Sequence, residues 1–396
     1  MRMGIILLYM MSFLQGTAQV IPAGRLVDWT RAGYPAPIPD PSLVLDATDF
    51  GAVGDSLTDN AQALASAIDY LDGKRGVVFF PPGQYIFNSP VNLNDSLVIR
   101  GTSSDQTHFI FDLDGAAENC FNISRSQSEE FVEVSEGFEK GSKKLIVEDP
   151  DHFQANTYAE IRQENGEWDT EPISWAAYSV GQILFIEDII GDTLLLKNAL
   201  RIDYEDELDP EIRPLDIIRE TGIECFKITR ADNTVQGVGY NFYLAFAVNC
   251  WIRGIESHYS VGSHIYLTQS SGIGISGCYI HDAYAYDGSG TRGYGITLNM
   301  HSGGCLIENN ILRRLRHAMM VKTGANGNVF AYNYSIEPMR SEPIHDFSGD
   351  ISLHGHYAFA NLFEGNIVQN IIIDHYWGPP DPGTHVSGTA PNFMVS

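Results

Sequence analysis

Positive charge is scarce in this chain. Its 396 residues hold 24 lysines and arginines against 50 aspartates and glutamates, a formal net charge of −26. A surface this acidic repels phosphate backbones, so nucleic acid is excluded as a general partner. The surplus also favours solubility, and a monomer is expected. Cysteine is almost lacking. The five present, Cys120, Cys225, Cys250, Cys278 and Cys305, are an odd number, which leaves at least one unpaired in a monomer. No spacing resembles a zinc site, and no metal site is expected from the sequence. A disulfide framework does not suit a chain this large. Cys250, Cys278 and Cys305 adjoin apolar turn residues and read as small buried packing groups. Long apolar runs are missing too. The nearest approach is Gly4–Met11, after the basic start Met1-Arg2-Met3 and before Thr17-Ala18-Gln19. It falls well short of the ~20 residues a membrane span needs and reads as a signal peptide over residues 1–19. A secreted or periplasmic protein with no membrane partner is expected.

What the chain does have is repetition. Between Cys250 and Trp377 an apolar strand, a tight turn and a second short apolar strand recur. The turns align as Ile275-Ser276-Gly277-Cys278, Ile307-Glu308-Asn309-Asn310, Phe330-Ala331-Tyr332-Asn333 and Phe363-Glu364-Gly365-Asn366. Asn310 and Asn333 stand 23 residues apart, a solenoid spacing. One coil cannot bury its own apolar face, so coils must stack. Asn310, Asn333 and Asn366 then form a structural amide stack, and Asn333, in a glycosylation-type Asn-Tyr-Ser, is expected to be buried.

Residues 20–45 form a proline-rich extended lead-in that wraps the body. Residues 46–123 carry a short helix, with a Thr or Asp cap at Thr58-Asp59, and the first coils. Residues 124–220 break the rhythm. Alternation at Lys144–Val147, Tyr158–Ile161, Gln182–Ile186 and Thr193–Leu196 marks this stretch as a β-rich insertion. Coils resume over 221–378, and 379–396 is a tail.

The stretches Asp49-Phe50-Gly51-Ala52-Val53-Gly54-Asp55, Thr58-Asp59, and Gly76-Val77-Val78-Phe79-Phe80-Pro81-Pro82-Gly83-Gln84-Tyr85 closely resemble the N-terminal cap and first coils of the pectate-lyase-like right-handed parallel β-helix superfamily. The resemblance covers 45–112, extends through the repeat at 222–378 and omits 124–220. It implies an all-β fold: a right-handed parallel β-helix with an N-terminal capping helix and an inserted β-rich subdomain. It does not fix the reaction, because lyases, polygalacturonase-like hydrolases, epimerases and phage tailspikes share the motif. The calcium-binding aspartate cluster and arginine of pectate lyases, and the adjacent aspartate pair of polygalacturonases, are not recognisable here.

Function must therefore come from the site. Positions two apart on a strand share a face. With Ile296, Leu298, Met319, Val321, Ile351 and Leu353 inward, the outward register reads Thr268, Asn299, Lys322, His354, Asp374. Two residues on it reads Ser270, His301, Gly324, His356, Tyr376, and Gly324 leaves a gap for substrate. Lys322, His354, His301 and Tyr376 are the candidate catalytic residues. Asn299, His356, Asp374, Arg292, Tyr284, Tyr286 and Trp377 are the candidate substrate contacts. The long loops before the strands bring Tyr284, Tyr286, Asp282, Asp287, His345 and Asp346 over the groove. Arg292, Arg313, Arg314, Arg316 and Lys322 make a basic island suited to an anionic ligand, although the three central arginines read as solvated corner residues.

An amine beside imidazoles suits proton abstraction α to a uronate carboxylate, the first step of β-elimination on an acidic polysaccharide. No metal is needed for that step, although Asp282, Asp287 or Asp346 offers oxygen ligands for calcium. Two-carboxylate hydrolysis ranks second, with Asp350, Asp374, Asp346 and Asp282 as candidates. A non-catalytic glycan-binding β-helix is the third reading.

Overall fold

The computed structural model describes residues 26–374, apart from 36, 128–129, 170–171, 234–238, 289 and 342–347. Three parallel sheets wind around one axis. Wall A has nine strands, from Val44–Asp46 to Leu362–Glu364. Wall B has eight, from Asp55–Asp59 to Tyr334–Ile336, and wall C has eight, from Val91–Asn92 to Ile371–Asp374. The expected all-β right-handed β-helix is the observed architecture.

Its interior follows the period-2 rule. Ile265, Ile296, Met319 and Ile351 are register partners along wall C, as are Leu267, Leu298, Val321 and Leu353. All lie in one continuous core. In the early coils phenylalanines fill the same space. Phe109 stacks on Phe226 at 4.3 Å between ring centroids, and Phe121 on Phe242 at 5.6 Å. The helix Ala61–Leu71 lays Ala63, Leu64, Ala67 and Leu71 against this end of the core. Its N-cap is Asn60 rather than Thr58 or Asp59. The Asn60 side chain makes no cap bond; its amide is pinned to Val53, 2.7 Å from that backbone nitrogen.

The asparagine stack is present. Asn310 Nδ2 donates to Asn333 Oδ1 at 2.9 Å, and Asn333 Nδ2 to Asn366 Oδ1 at 2.9 Å. Asn310 Oδ1 accepts the Cys278 backbone N–H at 3.0 Å. A second stack, not expected from sequence, runs along the C-to-A turn through Asn328 and Asn361, and Cys305 ends it as Cys278 ends the first. All five cysteines are free thiols.

The insertion is a closed six-stranded antiparallel barrel, from Val132–Glu136 to Glu211–Leu215. Its own core includes Val134, Leu145, Ile161, Leu184 and Ile212. It leaves the helix after the wall C strand Phe121–Ser124 and returns before Gly222–Glu224 of wall A. A unit inserted at that turn sits over the C-terminal ends of the wall C strands. The lead-in runs along wall A against the direction of growth. Trp29 Nε1 donates to the Ala360 carbonyl at 2.7 Å, Gly33 to Gly304 at 2.8 Å, and Tyr34 packs edge-on to Trp251. The proposed leader and the 379–396 tail lie outside the described residues.

Candidate functional site between wall C and the barrel

Lys322 and His354 end adjacent wall C strands, His317–Lys322 and Gly349–His354, and are direct register partners. Parallel neighbours stand about 4.8 Å apart. Asp374 is the next partner, opposite His354. One step back, Thr297, Met320 and Ser352 are buried. Access to this row is therefore confined to the strand ends, where Asn299, Lys322 and His354 are half-buried.

The roof over these ends comes from the barrel. Lys322 Nζ lies 5.2 Å from the Trp175 ring centroid, a cation–π contact. Trp175 also stands edge-on to the buried His356 at 5.1 Å. Asp169 of the barrel points Oδ1 to within 3.9 Å of His356 Nε2, and Asn165 donates to its other oxygen at 2.7 Å. Burial lowers the Lys322 ammonium to about 8. Burial, then the neighbouring Lys322 and His356, lowers His354 to about 3. The first gives up its proton far more readily than an ordinary lysine but is still mostly ammonium at pH 7, and the second stays an uncharged imidazole.

Other candidates have different duties. His301 is buried under the barrel, its Nδ1 2.7 Å from Glu160 Oε1 and its Nε2 2.7 Å from the Tyr178 carbonyl. Both nitrogens are engaged, so His301 anchors the barrel and does not face a groove. Glu160 also accepts from Arg213 Nη2 at 2.7 Å and Gln269 at 2.9 Å. Burial alone would push its carboxyl up, but His301, Arg213 and Gln269 bring it down to about 2. Gly324 is not a gap for substrate either: a Cβ there would stand 1.8 Å from the Ser179 carbonyl oxygen. Asn299 is half-buried, and its amide is occupied by the Thr268 hydroxyl at 3.3 Å and by the Thr323 hydroxyl.

Tyr284, Tyr286 and Arg292 lie in the loop entering the strand Tyr294–Asn299, at the other end of wall C. At 3.3 Å per residue this strand alone puts them about 16 Å from the Lys322 row. Tyr284 donates to the Arg230 carbonyl at 2.9 Å, the Tyr286 hydroxyl accepts from Ala283, and Arg292 pairs with Asp287 at 2.7 Å. The basic island is spent in the same way. Arg313 forks onto Glu337, Arg314 holds Asp282, and Arg316 is buried, donating to the Asp287 and Gly290 carbonyls. Arg316 is thus not a solvated corner residue. Asp350 is buried and receives the Ser335 hydroxyl and the Gln369 and Asn370 N–H groups. It is a structural clamp rather than a hydrolytic acid. Tyr376, Trp377, His345 and Asp346 lie outside the described residues.

Two family models cover most of this architecture. Residues 44–168 match "Rhamnogalacturonase A/epimerase, pectate lyase-like", and residues 221–394 match "Right handed beta helix region". The fold is a right-handed parallel β-helix. No curated protein matches the chain. Solved structures similar to this chain include the tailspike gp61 of Pseudomonas phage phi297, at 12% identity over 81% of this chain and 66% of that one, with a TM-score of 0.45. The tailspike gp49 of Pseudomonas phage LKA1 is at 12% identity over 81% and 59%, with a TM-score of 0.49. The mannuronan C-5 epimerase AlgE6 A-module of Azotobacter vinelandii is at 15% identity over 82% and 68%, with a TM-score of 0.40. The chain spans less than two thirds of the length of either tailspike. Likeness at these identities concerns the fold alone. No helix among the described residues is long and apolar enough to cross a membrane.

Sequence reading missed Trp175, Asp169, Glu160 and Tyr178 as neighbours of the wall C row. Their signal lay in the break of rhythm itself: an insertion at the wall C exit returns its side chains to the strand ends it interrupts.

Proposed function

We propose that the chain is an exported enzyme that cleaves an acidic, uronate-containing polysaccharide by β-elimination where the wall C strand ends meet the barrel. The observation that carries this reading is Lys322, register partner of the uncharged His354 and beneath the Trp175 indole, with its ammonium lowered by burial to about 8. Lys322 takes the proton α to the uronate carboxylate. The electron pair left on that carbon forms the new double bond and expels the glycosidic oxygen at the β carbon. The protonated Lys322 can return its proton to that oxygen. Trp175, exposed on its outer side, offers an aromatic face for a sugar ring.

Elimination leaves a conjugated uronide that absorbs in the ultraviolet; hydrolysis does not. Acidic polysaccharides incubated with the protein should gain that absorbance, and Lys322→Met should abolish the gain while circular dichroism stays unchanged. Chain shortening without absorbance would point instead to hydrolysis, for which the buried Asp169 beside His356 is the carboxylate in place. Retention of glycan with neither change would leave a binding protein.

A further inference from the structure

A second cluster of chemical side chains lies on wall B, away from Lys322 and the barrel. His258 and His281 are register partners on the outer face of adjacent strands, Glu256–His258 and Tyr279–His281. Asp282 follows directly. One ligand atom from each of the three lies within 4.8 Å of the others. Asp282 Oδ2 stands 2.8 Å from His281 Nδ1 and 3.9 Å from His258 Nε2. Ligands about 2.0–2.1 Å from a tetrahedral zinc stand about 3.3 Å from one another, between those two distances.

The surroundings are those of a metal-binding histidine. The other His281 nitrogen, Nε2, is 3.2 Å from Glu256 Oε1, and Glu256 is held in turn by Lys227 at 2.7 Å. A carboxylate on the far nitrogen fixes the ring and leaves the near one as donor. The stacked ring of Tyr279, 4.1 Å away, holds the imidazole plane. The His258 side chain is about a quarter exposed, which gives an ion a way in. Lys227 and Glu256 also line a polar cavity of about 500 Å³ shared with Asp55, Asp105 and His108. One group opposes the site: Arg314 Nη2 lies 2.7 Å from Asp282 Oδ2.

We propose that His258 Nε2, His281 Nδ1 and Asp282 Oδ2 bind one divalent transition-metal ion of the zinc class, with Glu256 orienting His281. Two imidazoles and one carboxylate select zinc-like ions over calcium, which prefers an all-oxygen set.

The test is calorimetric titration of zinc chloride into the full chain, stripped with EDTA and free of any histidine tag. One equivalent should bind. Substituting cobalt(II) should give a tetrahedral visible spectrum. His258→Gln and His281→Gln should each abolish tight binding, and Glu256→Gln should weaken it about 10–100-fold. Arg314→Gln should tighten it, an outcome that damage to the fold cannot produce. Absence of zinc binding, calcium binding in preference to zinc, or undiminished binding in the folded His258→Gln/His281→Gln double variant would each overturn the proposal. None of these outcomes bears on Lys322, so the proposal stands or falls separately from the polysaccharide reading.

Discussion

Lys322 is where a single side chain carries most of the chemistry. An ammonium costs free energy where burial strips away part of its water, and its base form gains in proportion. With Lys322 at about 8, kcat/KM for the elimination should rise about tenfold per pH unit below that value and level off above it. His354, at about 3, should contribute no limb near neutrality. A profile governed by a group near the ordinary histidine value would assign the base to another residue. The same shift is a stability cost. The unfolded chain keeps its proton up to about 10.5, so the penalty is fully present below about 8 and fades as pH rises through that window. Lys322→Met should therefore raise Tm at pH 7 by a few degrees while removing activity. A drop in Tm would mean that the amine makes a stabilising contact beyond the indole.

At the scale of elements, two kinds of contact hold the pieces in place. Within the helix, each stacked amide feeds the next coil. Asn333→Ala would strip the acceptor from the buried Asn310 amide and the donor from the Ile307 carbonyl. The expected loss is about 1–3 kcal/mol in urea unfolding, the cost of a stranded buried polar group. Between helix and barrel, close approach depends on glycine. Gly324 adopts φ of +71° against Ser179, and a Cβ at Gly181 would meet the His301 ring at 2.4 Å. Gly324→Ala should unseat the barrel, exposing residues 132–215 to limited proteolysis with the helix intact. Protection equal to that of the native chain would show that the barrel seats without this contact. The two kinds of contact differ in how far the sequence reveals them. Period-2 alternation and the repeat place Lys322 beside His354 and Asn310 beside Asn333, because a stacked coil turns sequence spacing into neighbourhood. They say nothing of Trp175 over Lys322 or Glu160 on His301. Those pairs join two separately folded units, and no local pattern encodes how one docks on the other. The error over His301 has the same origin: alternation along the wall C exit is right, but an outward side chain meets the barrel instead of water. The zinc-class set escaped for a related reason, since ligands one coil apart match no short-spacing rule.

For the molecule as a whole, acid should be the weak side. Burial lowers His108 to about 4 and His354 to about 3, and it carries His317 well below its ordinary value. Each binds its proton more readily when unfolded, so the stability present above about 6.5 is lost as pH falls toward the folded values. Glu160 adds a second loss between about 4.5 and about 2, where its clamp on His301 and Arg213 fails. The urea midpoint should thus decline steadily from pH 7 to pH 4; a flat or rising midpoint would show that relief of the net negative charge outweighs these groups. One further property follows from the path of the lead-in. Trp29 is anchored by Ala360, 331 positions later. A chain that emerges from the ribosome N-terminus first cannot fasten the Trp29 end of this strap until its final coils exist. Coils can form in order of synthesis, and Tyr34 and Gly33 can dock as Trp251 and Gly304 appear, but a chain stalled before Ala360 keeps its Trp29 end unfastened.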